Sequence, residues 1–410
     1  MVVLVHPFGN ANVRAVLEAL EAAGLLARFV TTVGWSKYSY PELAEQIRGR
    51  LRRNYPLPAE RIDIHPFRES VRLAASALKL SRMIEHEVGW ASIDKVWQGV
   101  DRKAARCVRK QAYGTSVRAV YAYEDCAANV FEAGAELGLR RIYDLPIAYW
   151  ETSQKLLREE ASRYPDWEPT LGATRDSAEK LARKTRELEL AELVLCPSEF
   201  VRESLPARAN DSKRYIVAPF GTPDVKLDES VNGRSVDRPL RVLFAGSLSQ
   251  RKGLADLFQA TKLLKSKAIQ LIVMGSPIRP LNWYRQFADF TYERPRPHAE
   301  VLRLMQTCDV LVLPSIVEGR ALVQQEAMAC RLPVIATKNA GADDVILNGE
   351  TGFLIPIRSP ESIAECIDWC ASNRSSLAGM GIAAQTRARA LSWTGYGEKV
   401  VTAVRELIEA

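Results

Sequence analysis

The sequence predicts an α/β chain folded as two parallel-sheet domains. Three observations carry this reading. Short apolar runs alternate with charged, amphipathic stretches from end to end, 410 residues exceed the usual span of one hydrophobic core, and a tract without periodic apolar residues falls near the middle.

The first apolar run, residues 2–5, ends in HPFGNAN, after which Val13, Val16, Leu17 and Leu20 recur at helical spacing. That is a strand, a glycine-containing turn and a helix, with Gly24 stopping the helix and residues 29–33 forming a second strand. Further strands are expected at residues 119–121, 141–143, 193–196 and 215–218, separated by amphipathic helices. Such alternation implies a parallel sheet covered on both faces. The stretch PFGTPDVKLDESVNGRSVDRP, residues 219–239, is rich in Gly, Pro, Asp and Ser and reads as the linker between a first domain, 1–218, and a second, 240–390. The second series runs RVLFAG (241–246), a helix over 254–264, IQLIVMG (269–275), a helix from Ala299, DVLVLP (309–314), a helix from Ala321, and PVIAT (333–337). Two such sheets present their carboxyl ends to a shared cleft, where ligands of this architecture bind.

Composition narrows the partners. A net charge of +7 favours anions, whether phosphorylated small molecules, anionic lipid or nucleic acid. No nucleic-acid-binding module accompanies the charge, so nucleic acid is not expected. Seven cysteines without a CxxC pair speak against zinc and suit a reduced, cytoplasmic protein; Cys366 and Cys370, one helical turn apart, read as packing. The start MVVLVHPFGN has no basic region before its apolar run, which breaks at Pro7, so a signal peptide is not expected. Two basic tracts stand out, RGRLRRN at 48–54 and DRKAARCVRKQ at 101–111. In the second, Arg102, Arg106, Arg109 and Lys110 share a helical face that fits a solvated surface, an acceptor phosphate or peripheral contact with an anionic membrane.

Two motifs carry chemistry. AGSLSQRKG follows a strand and opens a helix, placing Gly246, Ser247, Arg251 and Lys252 at a sheet's carboxyl edge, where free amides and cations favour a phosphate. It is not a Walker loop, because GxxxxGK followed by Ser or Thr is absent. SIVEGRALVQQEAMAC, residues 315–330, sets Glu318 in a loop and Glu326 in the helix that follows. Gly319 permits close backbone approach, and the amides of Arg320, Ala321, Leu322 and Val323 start a helix aimed at the cleft. A glutamate pair is commonly two surface carboxylates. Here both sit in apolar sequence, and a sugar nucleotide offers each part a partner: a diphosphate for the amides and Lys252, a ribose diol for one carboxylate, sugar hydroxyls for the other.

On these residues the chain resembles the retaining glycosyltransferases of family 4. The match runs through AGSLSQRKGLADLFQA, the paired glutamates and NGETGFLIP, nearly continuously from Gly246 to Pro356. The resemblance implies the GT-B fold, two Rossmann-like domains facing a cleft, with the closing residues LSWTGYGEKVVTAVRELIEA (391–410) forming a helix that crosses back to the first domain. It further implies transfer of a hexose from a nucleoside diphosphate sugar to a hydroxyl of a glycan or glycolipid, with retention, in polysaccharide or glycolipid assembly. No cofactor beyond the donor is implied, and no DxD sequence calls for a metal. Lys252 would contact the diphosphate, with Arg251 beside it replacing an arginine many members have at Ser247. Glu326 would bind the ribose, and Glu318 would hold the transferred sugar, with Gly319 to Leu322 supplying amides.

Arg320 and Ala321 stand where relatives often have an aromatic residue and Gly, Arg331 where Gly is common, and Asp344 where Glu is common. His298 matches a family position before a helix. In the first, acceptor-binding domain, Gly9, Asn10 and Asn12 of HPFGNAN should face the cleft. A histidine that many relatives carry after a later strand is missing: VYAYEDCA offers Tyr123, Glu124 and Asp125 there, leaving Glu124 or, one strand away, His6. The alternatives are a noncatalytic nucleotide-binding or scaffold protein of the same fold, or a phosphorylase or epimerase.

Overall fold

The computed structural model describes residues 1–36, 53–209, 213–228, 238–266 and 268–410. The first domain contains β1 (Val2–Val5), β2 (Leu26–Thr31), β3 (Trp35–Ser36), β4 (Asn54–Tyr55), β5 (Ile62–Ile64), β6 (Ala119–Tyr123), β7 (Arg140–Asp144), β8 (Leu193–Cys196) and β9 (Arg214–Val217). The second contains β10 (Leu240–Ala245), β11 (Ile269–Met274), β12 (Thr291–Glu293), β13 (Val310–Leu313), β14 (Val334–Thr337) and β15 (Gly352–Ile355). The first sheet has the order β5-β2-β1-β6-β7-β8-β9, the second β12-β11-β10-β13-β14-β15, and all their pairings are parallel. β3 and β4 form a separate parallel pair. Both sheets reverse direction of winding beside their first strand, and the crevice at that switch point is where doubly wound sheets bind ligands.

β1 (VVLV) and β13 (VLVL) are wholly apolar and fully buried, because helices cover both faces of each sheet. The helix Trp393–Glu409 packs Val400, Val404 and Leu407 into the first domain's core with Val13, Leu17 and Leu20 of the helix Ala11–Ala22. Its start is capped by the Ser392 hydroxyl, which accepts from the Gly395 amide at 2.9 Å.

A second crossing had no signal in the sequence. The helix Trp150–Arg163 leaves the first domain, and the 3-10 turn Pro165–Thr170 places Trp167 in the second domain's core against Phe258, Trp283 and Phe287. Glu160, fully buried, is held there by the Gln250 amide at 2.6 Å and by Arg163 and Arg358. The second strand begins at Leu26, three residues before the expected start, and the short edge strands β5 and β12 carry too few residues to register as patterns. Of the expected linker, Phe220 is buried against Trp393 and Tyr396, and residues 229–237 lie outside the described residues, as do residues 48–52 of the first basic tract.

Candidate functional site

The carboxyl ends of the two sheets face each other across a cleft of about 910 Å³. On the second domain's side, the turn after β10 brings Arg251 and Lys252 to the loop after β13. Gly253 has a φ of +74°, and a Cβ there would stand 2.0 Å from the Pro314 carbonyl oxygen, so only glycine lets the turn close on the end of β13. The Arg251 carbonyl accepts from the Ile316 amide at 2.9 Å, locking turn to loop. Glu318 then receives two cations: Lys252 Nζ contacts its Oε2, and Arg251 Nη1 donates to the same oxygen at 3.1 Å and to the Val317 carbonyl at 2.9 Å.

Burial pushes the Glu318 carboxyl upward, but Lys252 and Arg251 outweigh it and hold the group at about 2. Glu318 is therefore ionised throughout the neutral range and has no proton to give. For Lys252, burial, helped by the neighbouring Arg251 charge, lowers the pKa against the pull of Glu318. The ammonium is thus less comfortable in the pair than the carboxylate, and the pair's net stability is smaller than the Glu318 shift alone suggests.

The following helix begins at Leu322 and runs to Ala329. The amides of Leu322 and Val323 donate to no described residue, so they remain available to an anion. The expected contribution of Ala321 is corrected: its amide donates to the Ala340 carbonyl at 3.1 Å. Glu326 reaches the cleft, where its Oε1 lies 2.9 Å from His298 Nε2, a contact the sequence did not reveal. The Lys252 stem passes Gly246, while the Ser247 hydroxyl lies 3.3 Å from that of Ser249.

The loop bearing Glu318 also forms the interdomain seam. Gly319 packs on Pro146 of the first domain, its carbonyl accepting from the Ser198 hydroxyl at 2.7 Å. The Arg320 side chain turns across the seam, while its amide, the group expected to serve the donor, donates to no described residue. Its buried guanidinium donates to the Pro197 carbonyl at 2.6 Å and pairs with Asp344. Two glutamines unremarked in the sequence are buried too: Gln325 Nε2 donates to the Phe220 carbonyl at 2.8 Å and Gln324 Nε2 to that of Ala340 at 3.1 Å.

On the first domain's side, Gly9, Asn10 and Asn12 line the cleft as expected. Tyr123 and His6 line it as well, ring centroids 4.6 Å apart, with Trp97 5.1 Å from His6. His6 Nδ1 is engaged by the Phe8 backbone, and burial drives the imidazole down to about 3. It stays neutral and is a feeble base at neutral pH. Glu124 is corrected: β6 ends with Tyr123 facing the cleft and Glu124 turning behind, where it is buried 3.1 Å from Lys184; Arg251, Lys252 and Glu318 are likewise not among the residues that line the cleft and meet beside it. Behind the cleft floor, burial raises Asp144 to about 7 despite the Tyr121 hydroxyl donating to it at 2.7 Å. Arg53 enters from a distant segment, held by Glu69 and by the Thr32 hydroxyl at 2.9 Å. Among the described residues lining the cleft, Glu326 is the one carboxylate.

Comparison with known proteins adds to this geometry. Residues 226–387, which contain both motifs, match the family model described as glycosyl transferases group 1. A D-inositol 3-phosphate glycosyltransferase of Corynebacterium glutamicum (strain R) is 26% identical over 261 residues, covering 57% of this chain and 62% of that protein. An uncharacterised glycosyltransferase of Methanocaldococcus jannaschii is 29% identical over 176 residues, covering 41% and 47%. The chain thus spans about six tenths, or less, of these curated relatives' length. Among solved structures, sucrose-phosphate synthase from Thermosynechococcus elongatus superposes with a TM-score of 0.68 at 18% identity, covering 100% of this chain and 99% of that one. Anabaena HepE, solved with UDP and glucose, gives 0.62 at 15%, covering 99% of each. At such identities the likeness establishes architecture, and the architecture is the two-domain GT-B fold of these glycosyltransferases.

Proposed function

We propose that the protein is a retaining hexosyltransferase that takes a sugar from a nucleoside diphosphate donor and passes it to a hydroxyl of a glycan or glycolipid acceptor, without a metal ion. The observation that carries the reading is the meeting of Lys252 and Arg251 with Glu318 at one sheet's switch point, where the next helix starts on the open amides of Leu322 and Val323 and sends Glu326 into the cleft opposite the first domain's loop at His6 to Asn12. An entering diphosphate competes with Glu318 for the two cations and takes the amides. As the bond to the sugar breaks, charge grows on that diphosphate, and preorganised cations and amides stabilise it more in the transition state than in the ground state. They supply the role a metal would fill. The ionised Glu318, released toward the sugar, accepts hydrogen bonds from its hydroxyls, and Glu326, oriented by His298, accepts from the ribose diol.

Retention is supported by what faces the acceptor. Inversion needs a general base on the acceptor's side. Here His6 is held neutral at about 3, Glu124 points away and Asp144 lies behind Tyr121. The departing phosphate oxygen is then the base at hand, and it sits on the face the sugar leaves. The family model, the curated relatives and the fold support the coarser part of the reading, glycosyl transfer from a nucleotide sugar. The test is proton NMR of the product formed from a matched donor and acceptor in the presence of a chelator. The donor's anomeric configuration is expected in the product at an undiminished rate. An inverted anomer overturns the mechanism, and donor binding without product under any acceptor favours the noncatalytic alternative.

A further inference from the structure

Seven of the thirteen large apolar side chains exposed among the described residues fall between Ile64 and Ile93. The helix Phe67–Ala77 is packed inside out. Its inward face carries Glu69, fully buried and held by Arg53 and Arg72. Phe67, Val71 and Ala74, at i, i+4 and i+7, share the outward face with Leu78 just beyond the helix end, and Phe67 and Leu78 are 73% and 70% exposed. Beside them Trp90 meets Phe67 edge-on at 5.8 Å, the Arg68 guanidinium lies 4.5 Å from the Trp90 ring, and Val88 is 75% exposed. An apolar face of this kind marks a contact surface.

The surrounding charge identifies the contact. Between Phe67 and Lys110, the exposed side chains include Lys79, Arg82, Arg102, Lys103, Arg106 and Lys110, whereas the one exposed carboxylate is Glu85. Arg68 ties the two elements together, because its stem packs on Gly99 of the helix Ile93–Arg109, which bears Arg102 and Arg106. Aromatic and aliphatic side chains ringed by cations complement an anionic lipid surface. A second copy of the same face would set like charge against like charge. The face also borders the acceptor half of the cleft: Trp97, one turn beyond Ile93, lines it, and so does Arg53, which Glu69 holds from the helix's inner side.

We propose that this face seats the protein on an anionic bilayer, with Phe67, Leu78, Val88 and Trp90 entering the headgroup boundary and the surrounding lysines and arginines meeting lipid phosphates. This goes beyond the transfer reading and does not depend on it. The full chain is sedimented with vesicles of phosphatidylglycerol and phosphatidylcholine in equal parts, and with phosphatidylcholine alone. Binding is expected to the mixed vesicles only, to weaken with salt, and to fall by about tenfold or more in Phe67→Ser/Leu78→Ser and in Arg102→Glu/Lys103→Glu. Thermal midpoints should hold in both variants, because the substituted side chains are exposed. Failure to sediment with mixed vesicles, equal binding to phosphatidylcholine alone, or a dimer seen by light scattering without vesicle binding overturns the proposal. Nucleoside diphosphate affinity, measured on the same variants, should not change, which keeps a failure here distinct from a failure of the donor site.

Discussion

Replacing Gly319 by alanine separates donor binding from transfer. A Cβ on Gly319 would stand 1.7 Å from the Pro146 carbonyl oxygen and 2.7 Å from its carbon, both backbone atoms of the other domain. Ordinary contact begins near 3.4 Å, so the seam must open by about 1.7 Å. Gly319 does not occupy the left-handed region, so the effect is steric and not conformational. Overpacking of this kind costs about 1–3 kcal/mol, and misplacement of reacting groups by about 1 Å costs on the order of 100-fold in rate. The groups proposed to hold the donor, Lys252, Glu326 and the amides of Leu322 and Val323, all lie on the second domain and move with it. Calorimetric titration of Gly319→Ala should therefore give nucleoside diphosphate affinity within about threefold of the parent, whereas kcat should fall by about 100-fold. An unchanged kcat would show that the seam at Pro146 plays no part in assembling the site.

Other perturbations follow from the same contacts. Trp167→Ala empties an aromatic cluster in the second domain from a segment belonging to the first half of the chain, and should cost about 3–5 kcal/mol. Scanning calorimetry should register the loss in the transition that donor binding stabilises; a shift confined to the other transition would refute the crossing. Glu318, held at about 2 against an ordinary 4.5, contributes stability that is present above pH 4.5 and lost as pH falls toward 2. That contribution is at most about 3 kcal/mol and is reduced by the burial of Lys252. Glu318→Gln should lower the thermal midpoint at pH 7 and flatten its fall between pH 4.5 and 2, and parallel acid limbs in parent and variant would contradict the pairing.

How far the sequence carried depends on whether a feature is local. The helix phase after β13 was enough to aim Glu326 at the cleft, and the turn after β10 announced Lys252 because both follow a strand's carboxyl end, where backbone amides converge. The part the Arg320 side chain plays in the seam gave no signal for a physical reason: its partners, Pro197 and Asp344, lie 123 and 24 residues away, and one of them belongs to the other domain. Glu124 failed by a single position, since alternation along β6 gives the cleft to Tyr123. Arg53 belongs to a basic tract whose place the sequence did not give, Trp97 and the buried Trp167 come from segments with no motif, and only tertiary packing makes them neighbours of the site or of the second core. The inside-out helix at Phe67 is a similar case, because a 3.6-residue period marks an apolar face without telling which way it points.

The central claim is that Glu326 and Lys252 belong to a nucleoside diphosphate sugar site, and titration of the protein and of Glu326→Ala with UDP, GDP, ADP and their hexose conjugates tests it most directly. One base should bind at a single site, its affinity falling about tenfold or more when the carboxylate is removed, as expected for the loss of a charge-assisted hydrogen bond to the ribose. Binding of none of them to the folded protein, or binding indifferent to Glu326, would contradict the account.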